Sequence, residues 1–268
     1  MKNKDAYRFS GEGAENYDQY LGPILFEPYA IHTAARIPAT AKSILEIASG
    51  TGRVTRQIRS RFPKPTEITA SDLNNDMLEV ARKKLGDNSI QYVVANAQEL
   101  PFKNESFDAV VCQFGFMFLE DKQKGFDEAF RVLKPGGKLI FATWERTDNV
   151  PLFKVIYNDN ILQFVGDNEA ARFVVPFSLH NPDELRTWLT KAGFKDPRVT
   201  KVELQGKANR PDDIAEAFVL KHSMGKEIGN NDPKAVPVIA ERIIKGVEKR
   251  FGKHPVFQLA AWIGEAQK

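Results

Sequence analysis

Ile44-Leu45-Glu46-Ile47-Ala48-Ser49-Gly50-Thr51-Gly52 is an apolar run with one acidic residue near its end, closed by a loop of small residues. Arg53-Val54-Thr55-Arg56-Gln57-Ile58 follows and starts a helix, and Glu67-Ile68-Thr69-Ala70-Ser71-Asp72 is a second strand whose tip is a carboxylate. Strand, glycine-bearing turn, helix and acid-tipped strand make the nucleoside-binding half of a doubly wound α/β sheet. Small residues let a ligand approach the backbone, and the acid at the second strand tip can accept from both hydroxyls of a ribose.

A dinucleotide site uses G-x-G-x-x-G and sets a pyrophosphate on the helix N-terminus. Here the glycines are Gly50 and Gly52, and Thr55 stands where the third would fall. The Glu46 carboxylate would repel a pyrophosphate but suits an ammonium group. S-adenosylmethionine carries an amine, a carboxylate, a sulfonium and a ribose, and no phosphate.

Four motifs occur in order. They are Glu46 to Gly52; Ser71-Asp72-Leu73-Asn74-Asn75-Asp76-Met77-Leu78; Ala95-Asn96-Ala97-Gln98-Glu99-Leu100-Pro101-Phe102; and Arg131-Val132-Leu133-Lys134-Pro135-Gly136-Gly137-Lys138-Leu139. Through them the chain resembles the class I S-adenosylmethionine-dependent methyltransferases over residues 14 to 145. The likeness is nearest to the small-molecule branch that includes the ubiquinone/menaquinone-type enzymes. The resemblance implies a doubly wound, seven-stranded Rossmann-like sheet and S-adenosyl-L-methionine as donor, leaving S-adenosyl-L-homocysteine.

Composition fits a soluble α/β domain. The 268 residues allow a sizeable core, and a net charge of +3 gives no argument for nucleic acid. No apolar run reaches membrane length. Met1-Lys2-Asn3-Lys4-Asp5 leads into polar sequence, so a cytoplasmic protein is expected. Cys112 is the only cysteine and sits in an apolar run, which excludes an internal disulfide and points to a core position. Arg242, Lys245, Lys249, Arg250 and Lys253 oppose an apolar stripe of Val236, Ile239, Ile243, Val247 and Phe251, the pattern of a solvated helix face.

Along the chain, residues 1–12 read as poorly ordered and 14–38 as one or two aromatic-rich helices. Strands are expected near 43–48, 67–71, 90–94, 107–114 and 138–144, with helices between them. The segment 134–137 reads as a turn. Residues 150–180 read as helical, with Phe153, Tyr157, Phe164, Phe173 and Phe177. Asn181-Pro182-Asp183-Glu184 starts a further helix that ends near Gly193. A strand near 197–205, helices near 211–224 and 233–251, and a last strand over 255–265 complete the reading. Family sheets end in a β-hairpin; here 206–254 is too long for one and reads as an inserted helical pair, which leaves the C-terminal topology open. The whole is read as one domain, with a helical cap (14–40), a donor-binding core (41–145), an acceptor lid (146–180) and the remaining sheet with its insertion (181–268).

Methyl transfer from a sulfonium is an in-line displacement with an excellent leaving group, so alignment dominates and a base is needed only if the acceptor loses a proton. The resemblance implies donor-site roles residue by residue. Glu46 lies near the amine, directly or through water, with a helix-cap or salt-bridge role as its alternative, and Ala48, Ser49, Gly50 and Gly52 admit the donor. Asp72 accepts the ribose hydroxyls, while Leu73 and Met77 pack on adenine, Met77 having a plain core role as its alternative. Asn96 stands where the family often has Asp, Ala97 offers backbone and Gln98 a nearby side chain. Gln113 is expected at the methionine end, Phe114 and Phe118 near the sulfonium, with core packing as the alternative for this aromatic run and for Phe116 above all, and Tyr20 of the N-terminal helices joins the donor set. Gln113-Phe114-Gly115-Phe116 differs from the Asn/Asp-Pro-Pro-aromatic tetrad of amino-methyltransferases on DNA bases or protein glutamine. His180 is the weak candidate for a base, with a packing role at the helix start as the alternative; His32 is weaker. No cluster suits a metal. The expected acceptor is a small, apolar or aromatic molecule under an aromatic lid, and the oligomeric state is open. A donor-binding sensor without turnover and a nicotinamide oxidoreductase are the competing readings. Glu46 and the absent third glycine speak against the second.

Overall fold

The computed structural model describes residues 12–268; the expectation for 1–12 lies almost wholly outside them. Helix α1 (Glu12–Asn16) passes into a π-helical stretch, Tyr17–Phe26, and then α2 (Glu27–Ala34). The alternation expected of the core follows: β1 (Ser43–Ile47), α3 (Arg53–Arg61), β2 (Glu67–Asp72), α4 (Asn75–Leu85), β3 (Ile90–Val94), β4 (Phe107–Gln113), α5 (Lys122–Val132) and β5 (Leu133–Trp144). The second half contains α6 (Pro151–Phe153), α7 (Asp167–Phe173), α8 (Pro182–Lys191), β6 (Lys195–Lys207), α9 (Pro211–Ala215), α10 (Ser223–Asn231), α11 (Ala235–Phe251) and β7 (Val256–Gln267).

The strands form a seven-stranded sheet in the order β3-β2-β1-β4-β5-β7-β6. The first five are parallel, and β7 runs antiparallel to β5, with Lys138–Trp144 set against Ala261–Gln267. The topology left open by the long 206–254 connection is therefore that of the doubly wound, seven-stranded sheet that the resemblance implies. The insertion adds helices between β6 and β7 without changing strand order. It is not a simple pair: α9 runs on as a π-helix over Glu216–Leu220, and α10 and α11 follow. The 134–137 turn also differs from expectation. It is drawn into β5 as an irregularity, the register jumping from Phe107–Leu133 to Ala109–Lys138. Lys134 is held by Asp108 at 2.8 Å, and Gly136 N donates to Lys268 O at 3.0 Å.

The chain forms two compact units. One consists of residues 29–144, 176–202 and 261–268. On one face of its sheet, Ile44, Ile68, Ala109, Val111 and Ile140 pack with Ala30, Ala34, Val54, Ile58 and Phe62 in a continuous core. Each fully buried Val or Ile there contributes about 1.5–3 kcal/mol. Phe116 in the turn after β4, Phe126 on α5 and Phe141 on β5 are wholly buried and mutually in contact, with centroids 4.4–5.6 Å apart. Phe116 is thus core, and Cys112 is buried with it. Among the described residues, the other unit consists of 12–28, 145–175 and 203–260. Within it Phe153, Tyr157 and Phe218 pack edge to face. α11 buries Ile239, Ile243 and Val247 and exposes Arg242, Lys245, Lys249 and Arg250, as the stripe predicted. No helix of the described residues is long and apolar enough to cross a membrane.

Candidate functional site

Parallel strands leave their C-terminal ends unsatisfied and exposed at one edge, where ligands of such sheets bind. Residues of the first three motifs singled out from the sequence lie there at three neighbouring strand exits. Ser49 N donates to Ser71 O at 2.9 Å, and Ala95 N donates to Asp72 O at 2.9 Å, so the exits of β1, β2 and β3 are stitched side by side. Asp72 closes the arrangement: its Oδ2 accepts from Gly50 N and its Oδ1 from Asn74 N, both at 2.8 Å. Asn74 also caps α4 by accepting from Asp76 N at 2.9 Å, so one short turn both starts the helix and orients the carboxylate.

The β1 loop is bent where the sequence placed its small residues. Ala48 has φ +52°, unusual for a residue with a Cβ. Gly50 has φ +54°, and a side chain there would meet nothing within 4 Å, so its outer face is open. Gly52 instead faces α4: a Cβ would lie 2.9 Å from that of Ala81. Ser49 is buried, and its hydroxyl has no hydrogen-bond partner. A buried polar atom of this kind costs about 1–3 kcal/mol unless a ligand or water meets it.

Two carboxylates near this loop are unusual. Glu46 is 2 % exposed and accepts from the Thr55 hydroxyl at 2.5 Å. Burial pushes its carboxyl up to about 8, helped by the Asp72 charge and opposed by Thr55. Asp72 is also raised by burial, against the amides of Asn74, Gly50 and Leu73. Thr55, which the sequence presents only as a missing third glycine, is thus the partner of Glu46, in the first turn of α3.

The remaining predicted residues divide. Leu73 is 72 % exposed and Phe118 43 % exposed, large apolar side chains beside the strand exits, whereas Met77 is buried, at 6 %. Asn96 is exposed, its Oδ1 accepting from Gln98 N at 3.0 Å; Ala97 is buried. Gln98 Oε1 is engaged by Asp121 N at 2.7 Å. Gln113 accepts from the buried Thr33 hydroxyl at 3.1 Å. Phe114 has φ +55° and stacks flat on Trp144, centroids 3.8 Å apart, with the Tyr29 ring edge-on to both. Sequence reasoning missed Thr33 and Trp144, whose spacing carries no motif, and took Tyr29 only as one of the aromatic residues of the N-terminal helices. The β4 exit is packed onto the β1 exit: a Cβ at Gly115 would lie 2.5 Å from that of Ala48, so only glycine allows this approach. His180 is half-buried, with Nδ1 2.7 Å from Phe177 O. Tyr20 lies in the π-helical stretch of the other unit, half-buried. No cluster of metal-binding side chains occurs among the described residues.

An open glycine face, an orphaned buried hydroxyl, exposed apolar side chains and two carboxylates held toward their neutral forms fit a ligand with a cationic amine, ribose hydroxyls and a flat base. Comparison with known proteins agrees. Residues 45–141 match the methyltransferase domain model. The demethylmenaquinone methyltransferase of Clavibacter sepedonicus is 35% identical over 173 residues, 60% of this chain and 69% of that protein. The ubiquinone/menaquinone biosynthesis C-methyltransferase of Haemophilus ducreyi is 35% identical over 167 residues, 58% of this chain and 64% of that protein. Among solved structures, the Haemonchus contortus phosphoethanolamine N-methyltransferase 2, in complex with S-adenosylhomocysteine, superposes with a TM-score of 0.63 at 20% identity, over 98% of this chain and 58% of that one; at such identity the likeness is one of fold. The chain belongs to the class I S-adenosylmethionine-dependent methyltransferases, enzymes that here take the methyl group from S-adenosylmethionine to a small molecule.

Proposed function

We propose that the protein methylates an apolar aromatic small molecule, a quinol-like ring being the acceptor class. The observation that carries this reading is the junction of the Glu46–Gly52 loop with Asp72, found in a chain whose curated relatives are named for quinone methylation. The aromatic residues concentrated in 14–29 and 150–180 support an apolar, aromatic acceptor.

When bound, the donor supplies an electrophilic methyl group on a sulfonium. We assign Asp72 to the ribose hydroxyls, since its two oxygens already accept amides from either side and retain lone pairs. Glu46 is assigned to the amine, as a buried acid that ionises when a cation arrives. Ser49 and Gly50 lie under the donor's methionine portion, and Leu73 with Asn96 to Gln98 flanks the base, Met77 supporting from beneath. Gln113, Phe114 and Phe118 line the exit toward the acceptor. The flat Phe114–Trp144 pair holds one ring in place at that exit. A ring carbon that gains a methyl group must lose a proton, and His180 is the base we assign. With Nδ1–H donating to Phe177 O, its Nε2 keeps a lone pair for a proton.

The test is transfer of an isotopic label from S-adenosylmethionine to a demethylated quinol, alongside a phosphoethanolamine control. Label in a new carbon-bound methyl group supports the proposal; transfer to the amine alone overturns it. In the same assay His180→Gln should lower turnover by about a hundredfold and leave donor affinity unchanged.

A further inference from the structure

The exit loop of β3, residues 95–104, is fastened to α5 at both ends of that helix. At the helix start, Gln98 Oε1 accepts from Asp121 N at 2.7 Å, and the Asp121 carboxylate caps α5 by accepting from Lys124 N at 3.0 Å. At the helix end, Arg131 uses all five of its N–H groups. Nε and Nη2 donate to the two Glu128 oxygens at 2.7 and 2.8 Å, Nη2 also to Leu100 O at 2.9 Å, and Nη1 to Phe102 O at 2.7 Å and Asn104 Oδ1 at 2.8 Å. Glu128 Oε2 in turn accepts from Leu100 N at 2.7 Å.

The ion pair itself explains little. Its side chains are 31% and 17% exposed, and such pairs contribute modestly to stability. What is unusual is the use made of it: the rigid planar fork of Arg131 holds two backbone carbonyls, and its partner Glu128 holds one backbone amide, of a loop whose other end carries Asn96, Ala97 and Gln98. A lysine has no such fixed set of directions. A hydrogen-bonding edge that must recognise one base needs its donors and acceptors fixed. A loose loop can turn an amide over and accept a base of opposite polarity, so looseness reduces discrimination more than affinity.

We propose that Glu128 and Arg131 are positioning residues for the base end of the donor: they hold the 95–104 loop in one conformation, so that Asn96 to Gln98 distinguish adenine from a base with a carbonyl in place of its amino group. Neither residue touches the ligand. The inference rests on the donor-site reading given above.

The experiment is calorimetric binding of S-adenosylhomocysteine and S-inosylhomocysteine to wild type, Arg131→Met, Arg131→Lys and Glu128→Gln. Wild type should prefer the adenine compound by about tenfold or more, the scale of one hydrogen bond. In Arg131→Met the two affinities should converge to within about threefold on that same scale, chiefly through weaker adenine binding. The Leu100 amide should also exchange faster in the ligand-free variant. Arg131→Lys and Glu128→Gln should lie between, and they carry the comparison if Arg131→Met does not fold. Equal weakening of both ligands with the preference intact, or unchanged Leu100 exchange, overturns the proposal and leaves the donor-site reading standing. Wild type that binds both compounds equally, or neither, overturns the reading of the base and the proposal together.

Discussion

The two edges of the parallel sheet treat carboxylates in opposite ways. At the edge where strands begin, Asp108 opens β4 and is saturated. It accepts from Lys42 N, Ser43 N and Ser43 Oγ at 2.9 Å each and from Lys134 Nζ at 2.8 Å. Burial works against its charge, but the Lys134, Lys42 and Ser43 donors outweigh it and pull the carboxyl down to about 2. At the edge where strands end, Glu46 and Asp72 have fewer donors and are pushed up. A saturated acid joins two strands; an under-satisfied one leaves capacity for something that arrives. The same residue chemistry thus separates the edge that holds the sheet together from the edge that works.

The largest test of this contrast is Asp72→Ala. Loss of charge-assisted bonds to two ribose hydroxyls should cost about 1.5–3 kcal/mol of donor binding, about ten- to a hundredfold. Binding at wild-type strength would show that another residue holds the ribose.

Glu46 gives the next effect, and its sign is set by its raised carboxyl. In the free protein the neutral acid is the favoured form, so the stabilisation Glu46 contributes is full below the ordinary value of 4.5 and lost as pH rises through about 8. A cationic amine needs the ionised form. Donor affinity should therefore climb between pH 6 and 8 by up to about tenfold per unit, with release of a proton detectable in buffers of different ionisation enthalpy. Glu46→Gln should flatten the profile. A wild-type profile already flat would detach Glu46 from the amine.

Asp108→Ala should do the opposite, lowering stability and leaving donor affinity alone. Discounted for solvent screening, the loss is about 1–2 kcal/mol at neutral pH, read as a lower midpoint in denaturant. In wild type this contribution is present above 3.8 and disappears as pH falls through about 2. A fall in donor affinity would undo the separation between edges. The smallest effect belongs to Thr55→Val, which removes the hydroxyl from Glu46. It should push that carboxyl higher still and weaken donor binding a few-fold at pH 7, on the scale of one hydrogen bond of about 0.5–1.5 kcal/mol. Recovery at pH 9 would confirm that protonation is the route.

How much of this was legible depends on how far the physics is local. The β1 loop, Asp72 and the Asn74 cap could be read because turn, acid and helix start lie within a few residues of one another. The five parallel strands follow from apolar runs at regular spacing. Arg131 was read only as part of a turn motif, because its partners are carbonyls about thirty residues away and a carbonyl leaves no mark in a sequence. Thr55 was seen as an absence for the same reason: its value is a contact with Glu46. Phe114 looked like a free aromatic face, but the ring that covers it is on the next strand. In the insertion, periodicity showed that helices were present but not where α9 yields to a π-helical stretch and then breaks before α10.

The buried thiol of Cys112 has a practical consequence. Burial pushes it up to about 12, against the backbone amides of Phe116 and Gly115, so almost none is thiolate at neutral pH. Alkylating and maleimide reagents should leave the folded protein unmodified and modify it stoichiometrically once unfolded. Since the chain has no other cysteine, a single cysteine introduced on the exposed face of α11 would accept a fluorophore or spin label alone, with no need to replace the native one.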